Sequence, residues 1–471
     1  MNSHPTPRID LLLALTLLGL LLLPPFMKRA FCSNFHEHYS SLASYSDYRA
    51  AFRSIGQDLD QIPFGELSED ASGAIQSIFE KERFAKIKAR LGPIDPASLS
   101  FDQLSRQIQL ALSPRPKLET VKRAFFEFNA LNAHTPASLE EIGWNIRTET
   151  QKRLAKSANG DGLIRLFENW ANRVPLRERT RLDLSASAKL FRDDRLPLLK
   201  RLRALFIKKG TDARFFFQIQ RKLLIYGEDE EFKDLLKKIN SSALTGELDG
   251  VDLVGSLHEG QKKRLLHLSR AKANETESRL NALIRTLHDY PATELRIHAF
   301  EAPAITLKKT NLLAPQESRF YTALKSALES AAKNGTLPER IRIGHIAGLR
   351  EEDIRFFETL KKNSHTQIAF DANIKSNILA HGASEKDLAA TINRLDHAGF
   401  PVLLGTDGEG ILGGKVTRIE QTLISLKKAG LEPEVAERII RRAAARTTSY
   451  SAPMTRPFAR ECLTQLLKAI Q

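Results

Sequence analysis

The sequence predicts an α/β fold, a (β/α)8 TIM barrel with a long helical insertion between its first and second strands and a hydrophobic leader in front. Three observations predict it. From about residue 180 onward, short apolar, β-branched or aromatic runs alternate with amphipathic helical stretches, the pattern of parallel strands joined by crossover helices. Seven such runs can be counted, and an eighth lies near the N-terminus. The stretch separating that eighth run from the others, about 40–180, is too long for one crossover and carries its apolar residues at helical spacing.

The elements follow in chain order. Leu11 to Leu23 is a 13-residue apolar run without a charge, followed by Pro24 and Pro25. That is the length of a signal-peptide core rather than of a full membrane span. Residues 1–30 are therefore expected to be a signal peptide or an N-terminal membrane anchor, with cleavage after Ala30 one outcome. Residues 31–471 would form one domain, exported or membrane-anchored, with the insertion at about 40–180 inside it. Its first strand is "FCSNFHEH", 31–38. The insertion follows, with "SIFEKERFAKIKARL", "FDQLSRQIQLAL", "LETVKRAFFEFNALN" and "LIRLFENWANRV" as helices. The remaining strands are read at 181–187, 214–221, 248–255, 294–301, 340–346, 366–373 and 401–408. Helices such as "DEEFKDLLKKI", "RFYTALKSALESAAK" and "EKDLAATINRLDHAG" lie between them, several closed by Gly or Asn.

Composition narrows the function classes. The chain has 471 residues, 42% of them hydrophobic, enough for a sizeable core. Cys32 and Cys462 are its two cysteines, which excludes a disulfide scaffold and a thiolate zinc cluster while leaving one bridge open. A formal charge of +15 favours anionic surfaces, so contact with an anionic surface or lipid through basic helices stays open. The basic residues are scattered along helices such as "RIIRRAAAR", where a solvated face is the simpler reading, and no specific nucleic-acid partner is expected. "HEHYS" has Ser40 where an H-E-x-x-H motif needs its second histidine, and no P-loop or G-x-G-x-x-G is present.

The suspicious side chains gather at one end of the predicted barrel. His36 and His38 lie on the first strand, His298 and Glu301 on the fifth, His345 on the sixth and Asp407 on the eighth. The C-terminal strand ends are where barrel chemistry sits. Residues two apart on a strand point the same way, so His36 and His38 can face the barrel centre together. Three histidines and an aspartate suit Zn²⁺ and leave a position for water.

Taken in order, "FHEHYS", "GVDLVGS", "IHAFEAP", "RIGHIAGL", Ser376-Asn377 and "LLGTDGEGI" resemble the adenosine deaminase family of the amidohydrolase superfamily, over residues 31 to about 415. The leader and helical segment are similar in layout to the secreted, growth-factor type. The resemblance implies one Zn²⁺ per chain, bound by His36, His38, His298 and Asp407. It implies that Glu301 protonates the ring nitrogen, that His345 takes the proton of the attacking water, and that Asp407 belongs to the catalytic set as well. Gly255 would contact the ring through its backbone. The substrate would be a small molecule, adenosine or a related purine nucleoside or cyclic amidine, losing ammonia.

Three departures touch substrate binding. Tyr39, Ser40 and Ser41 follow H-x-H where the family has Leu-Asp-Gly, which removes a carboxylate for a ribose hydroxyl. Phe300 stands in place of a glycine in "HAFE", and Gly408 replaces the second aspartate, the one that meets the purine edge. The metal and acid-base positions are all present. Turnover of a changed substrate follows, with an amidohydrolase of another substrate class, or a non-catalytic exported or membrane-tethered binding protein that keeps the barrel, as the other readings. Oligomeric state is not legible.

Overall fold

The computed structural model describes residues 34–38, 43–79, 81–127, 136–173, 181–187, 196–209, 212–254, 270–300, 319–379, 382–405 and 419–444. Eight strands form one sheet in sequence order: β1 Asn34–His38, β2 Arg181–Ser187, β3 Asp212–Gln220, β4 Gly250–Val254, β5 Glu294–His298, β6 Arg340–Gly344, β7 Gln367–Asn373 and β8 Val402–Gly405. Each ladder is parallel. β1 lies beside β8, so the sheet curls round on itself as the alternating pattern predicts. All eight expected strands are present. β5 ends at His298, before the predicted 301, and the last residues predicted for β8, 406–408, lie outside the described residues.

The outward side of the sheet is apolar. Leu182, Leu184, Phe215, Phe217, Leu253, Ile297, Ile341, Ile343 and Phe370 are buried in one core with the surrounding helices. Their alternation with polar residues looks half-solvated in sequence, yet the polar positions are buried too. Asp183, Arg214, Glu294, Arg296, Arg342 and Asp371 fill the interior, where barrels ordinarily stack branched aliphatics.

Arg342 is the centre of this ionic floor. Its Nη2 donates to Asp183 Oδ2 at 2.5 Å, its Nε to Glu294 Oε1 at 2.8 Å, and its Nη1 to Asp371 Oδ1 at 3.5 Å. Arg214 reaches Glu294 Oε2 at 3.2 Å and Arg296 reaches Asp371 Oδ2 at 3.3 Å. All three guanidinium groups lie against the ring of Phe216, Arg214 at 4.9 Å, Arg296 at 4.5 Å and Arg342 at 6.0 Å from its centroid. Three cations thus face three carboxylates round one aromatic ring, and a buried charge is tolerated only when paired and hydrogen-bonded like this. Burial pushes the Asp371 carboxyl above the ordinary carboxylate range, against the pull of Arg342 and Arg296.

Gly250 lets β4 enter this layer. A Cβ there would meet the Glu294 carbonyl oxygen and come within 2.8 Å of the Phe216 ring. Neither neighbour can move without breaking the β4–β5 ladder or the arginine stack. Gly250→Ala is expected to cost about 1–3 kcal/mol or more, as overpacking a filled core does. Urea denaturation checks it, and an unchanged midpoint would contradict the packing described.

The stretch between β1 and β2 is helical, as expected. Among the described residues it includes α1 Tyr45–Ser54, α2 Ala71–Ile78, α3 Lys81–Leu91, α4 Phe101–Ala111, α5 Leu118–Ala124, α6 Pro136–Ala155 and α7 Asp161–Arg173. Tyr45, Tyr48, Phe64, Phe101, Phe125 and Phe126 form an aromatic cluster with ring centroids 5.1–6.1 Å apart. Beside it Lys122 Nζ is buried between Asp60, at 2.8 Å, and Asp102, at 2.6 Å. The insertion also anchors the exit from β1. Fully buried Arg147 donates to the Phe126 carbonyl at 2.9 Å and to the Ala43 carbonyl at 2.5 Å. Trp170 of α7 packs edge-on against Phe206 of α8 Leu196–Lys208, which joins the insertion to the barrel's helical layer. Among the described residues no helix is long and apolar enough to cross a membrane, and the leader lies outside them.

Candidate active site

Above the ionic floor the interior residues change from ion pairs to imidazoles and amides. β5 ends on His298, and β6 ends on Gly344 with His345 immediately after it. His345 has φ 67°, a left-handed conformation that a side chain with Cβ enters at a cost of about 1–3 kcal/mol. That turn carries its ring back over the strand end. Its Nε2 lies 3.3 Å from Nδ1 of His298, with the rings edge to face and centroids 5.0 Å apart.

Each ring is held from its far side. His298 Nε2 lies 3.3 Å from Asp252 Oδ1 on β4, and the other oxygen of Asp252 accepts a hydrogen bond from Ser185 on β2. His345 Nδ1 meets Asn377 Oδ1 at 2.8 Å, from the short helix Ile374–Leu379 after β7. Ser185, Asp252, His298, His345 and Asn377 therefore form one chain across the C-terminal ends of five elements. All five are buried.

His345 Nδ1 lies against Asn377 Oδ1 and its Nε2 against His298 Nδ1, and in that second contact one nitrogen donates while the other accepts, the roles following the tautomer. The Asp252 carboxylate lies behind His298 Nε2 at ion-pair distance. A carboxylate behind the ring is the usual setting of a metal-binding imidazole, so the surroundings of His298 fit zinc.

The β1–β2 register sets position 36 beside Asp183 and position 38 beside Ser185, on the strand that neighbours this chain. The side chains of His36 and His38 lie outside the described residues, as do Gly255, Glu301, Asp407, Gly408 and Ser40, along with Cys32 and Cys462. Among the described residues there is no cluster of three potential metal ligands, and His298 is the one expected ligand whose side chain is described. Phe300 is fully buried, its ring edge-on to Tyr321 of the helix Arg319–Lys333 at 5.6 Å. Tyr321 in turn donates to Asp353 at 2.8 Å, and the Phe300 carbonyl accepts from the amide of Gly348. This packing binds the start of the β5 loop to the β6 loop.

Sequence reasoning missed Asp252 and the role of Asn377. A lone carboxylate in the apolar run "GVDLVG" is the signal that would have found the first. Two surface grooves, about 610 and 430 Å³, lie at the insertion, the first between Ala155 and Arg201 and the second between Ile55 and Ser157. None of their lining residues belongs to the chain of five.

No protein-family model matches the sequence, and no curated protein matches it. The solved structures similar to it in fold include two deaminases. One is the adenine deaminase of Arthrobacter aurescens, 12% identical over 84% of this chain and 95% of that one, with a TM-score of 0.43. The other is the 5-methylcytosine deaminase of Klebsiella pneumoniae liganded with phosphonocytosine, 14% identical over 68% of each chain, with a TM-score of 0.36. The chemistry of the site rests on this chain's own residues.

Proposed function

We propose that this protein is a zinc-dependent aminohydrolase that deaminates a small aminated nitrogen heterocycle, with adenosine or a related purine nucleoside or cyclic amidine as the substrate class. The observation that carries the reading is the His298–His345 pair at the strand ends, with Asp252 behind the first ring and Asn377 behind the second. His36, His38, His298 and Asp407 would hold one Zn²⁺. The ion, when bound, would supply a water acidified to near-neutral pKa.

The chain's own residues do the rest. His345 Nε2 accepts the proton of the attacking water, and Asn377 holds the ring with that nitrogen facing inward. Glu301, just past β5, donates a proton to the ring nitrogen, which makes the adjacent carbon electrophilic. The C–O bond forms, the C–N bond breaks, and the amino group leaves as ammonia with the proton taken from water. Both imidazoles are buried, which keeps them out of bulk solvent. We place the protein outside the cytoplasm or on a membrane, on the strength of the leader Leu11 to Leu23.

Metal analysis joined to an ammonia-release screen of purine bases, nucleosides and nucleotides tests this. About one zinc per chain and ammonia from at least one purine are expected. A folded preparation that takes up no zinc, or a zinc-loaded one that releases no ammonia from any member, overturns the proposal.

A further inference from the structure

Asn373, the last residue of β7, is fully buried, and both Oδ1 and Nδ2 of its side chain lack a hydrogen-bond partner among the described residues. Asp371, two residues earlier on the same strand, turns its carboxylate into the barrel interior to meet Arg296 and Arg342. Position 373 shares that face one layer higher, at the level where the strands end. Its neighbour in register on β8 is Gly405, which has no side chain to fill the space beside it. One helical turn on, Asn377 spends Oδ1 on His345 and keeps a buried Nδ2 that also has no partner among the described residues. Leaving a buried amide with neither group satisfied is costly, and native proteins do so where something else supplies the partner.

Resting on the function proposed above, we propose that Asn373 is a specificity residue that reads the edge of an aminated purine. A primary amide presents an acceptor and a donor in one plane, 2 to 3 Å apart as in any carboxamide, the geometry that pairs bidentately with the exocyclic amine and N7 of adenine. Oδ1 accepts from the amine and Nδ2 donates to N7. An anionic group is a poor match, because Oδ1 would face it and the carboxylate of Asp371 lies in the layer below. A pyrimidine offers an amine and a ring nitrogen on its other edge, the edge that must face the proton donor.

The test compares adenosine and adenine with their 7-deaza counterparts, which keep the amine and lose the N7 acceptor. Wild type and Asn373→Leu, a near-isosteric apolar variant, are measured for kcat/KM and zinc content, and each is unfolded thermally in its metal-free form. Wild type is expected to favour the N7-containing compound of at least one pair by at least about 10-fold, and Asn373→Leu to bring that ratio to about 1. The variant is expected to keep its zinc and to unfold no earlier than wild type without metal, since an unsatisfied amide has been removed. A ratio that is unchanged by the substitution, or absent in wild type, overturns the assignment while zinc uptake and ammonia release leave the enzyme reading standing. Loss of zinc or a lowered midpoint in Asn373→Leu overturns it as well, by making Asn373 a structural residue. A wild-type protein without zinc or ammonia release brings down both.

Discussion

Replacing Arg342 with methionine is expected to lower the unfolding free energy by about 3–5 kcal/mol, the cost of removing one partner from a buried ionic cluster. The side chain is 3% exposed and touches Asp183, Glu294 and Asp371, which are equally hidden. Methionine keeps most of the volume and the apolar stem, so the loss reports the charge rather than a cavity. Asp183 and Glu294 lose their closest cation, and Glu294 is left with Arg214 at 3.2 Å. Arg342→Lys is expected to fall between the two, because one ammonium cannot reach three carboxylates from different strands as a guanidinium fork does. Adding Asp183→Leu to Arg342→Met should recover part of the loss, since much of the cost lies in a carboxylate left buried without its partner. Urea denaturation at neutral pH measures all three. A loss under about 1 kcal/mol for Arg342→Met would mean that water reaches the floor, contrary to its burial.

The second large effect separates the two histidines. His345→Ala is expected to lower kcat by roughly 10²–10⁴-fold, the usual contribution of a positioned proton acceptor, while zinc content stays at wild-type level. His298→Ala is expected to lose the zinc itself, and activity with it. The two rings touch each other, so a difference in metal content between the variants is what tells a proton acceptor from a ligand. His345→Gly adds a further check. Glycine adopts φ 67° without the penalty a Cβ brings, so this variant should be as inactive as His345→Ala and yet more stable by about 1 kcal/mol. Equal stability of the glycine and alanine variants would remove the case for strain at this turn. Full activity in either would remove His345 from the chemistry.

These expectations draw on two kinds of information. The barrel was legible because parallel strands covered by helices read as runs of Leu, Ile, Val and Phe at short range, and "LDGVDLVG", "ELRIHAFE" and "RIRIGHI" carry that signal within a few residues each. His298 and His345 were legible for the same reason, since each follows such a run and so must fall at a strand end. The ionic floor was not. In "RIRIGHI" or "RFFFQIQR" the alternate polar residue looks like a solvated face.

By itself, then, the sequence determined the eight strands, the helical insertion and the end of the barrel where histidines collect, because these depend on periodicity along the chain. Only the tertiary structure decided which partners the polar residues find. Closure of the sheet brings Arg342 to Asp183 across the barrel, while pairing of neighbouring strands sets Asp252 behind His298 and Asn377 behind His345. Those pairings join positions up to 159 residues apart in the chain. A hydrogen bond or an ion pair acts over a few ångströms of space, and the pairing and closure of the strands, which no local pattern encodes, set those distances.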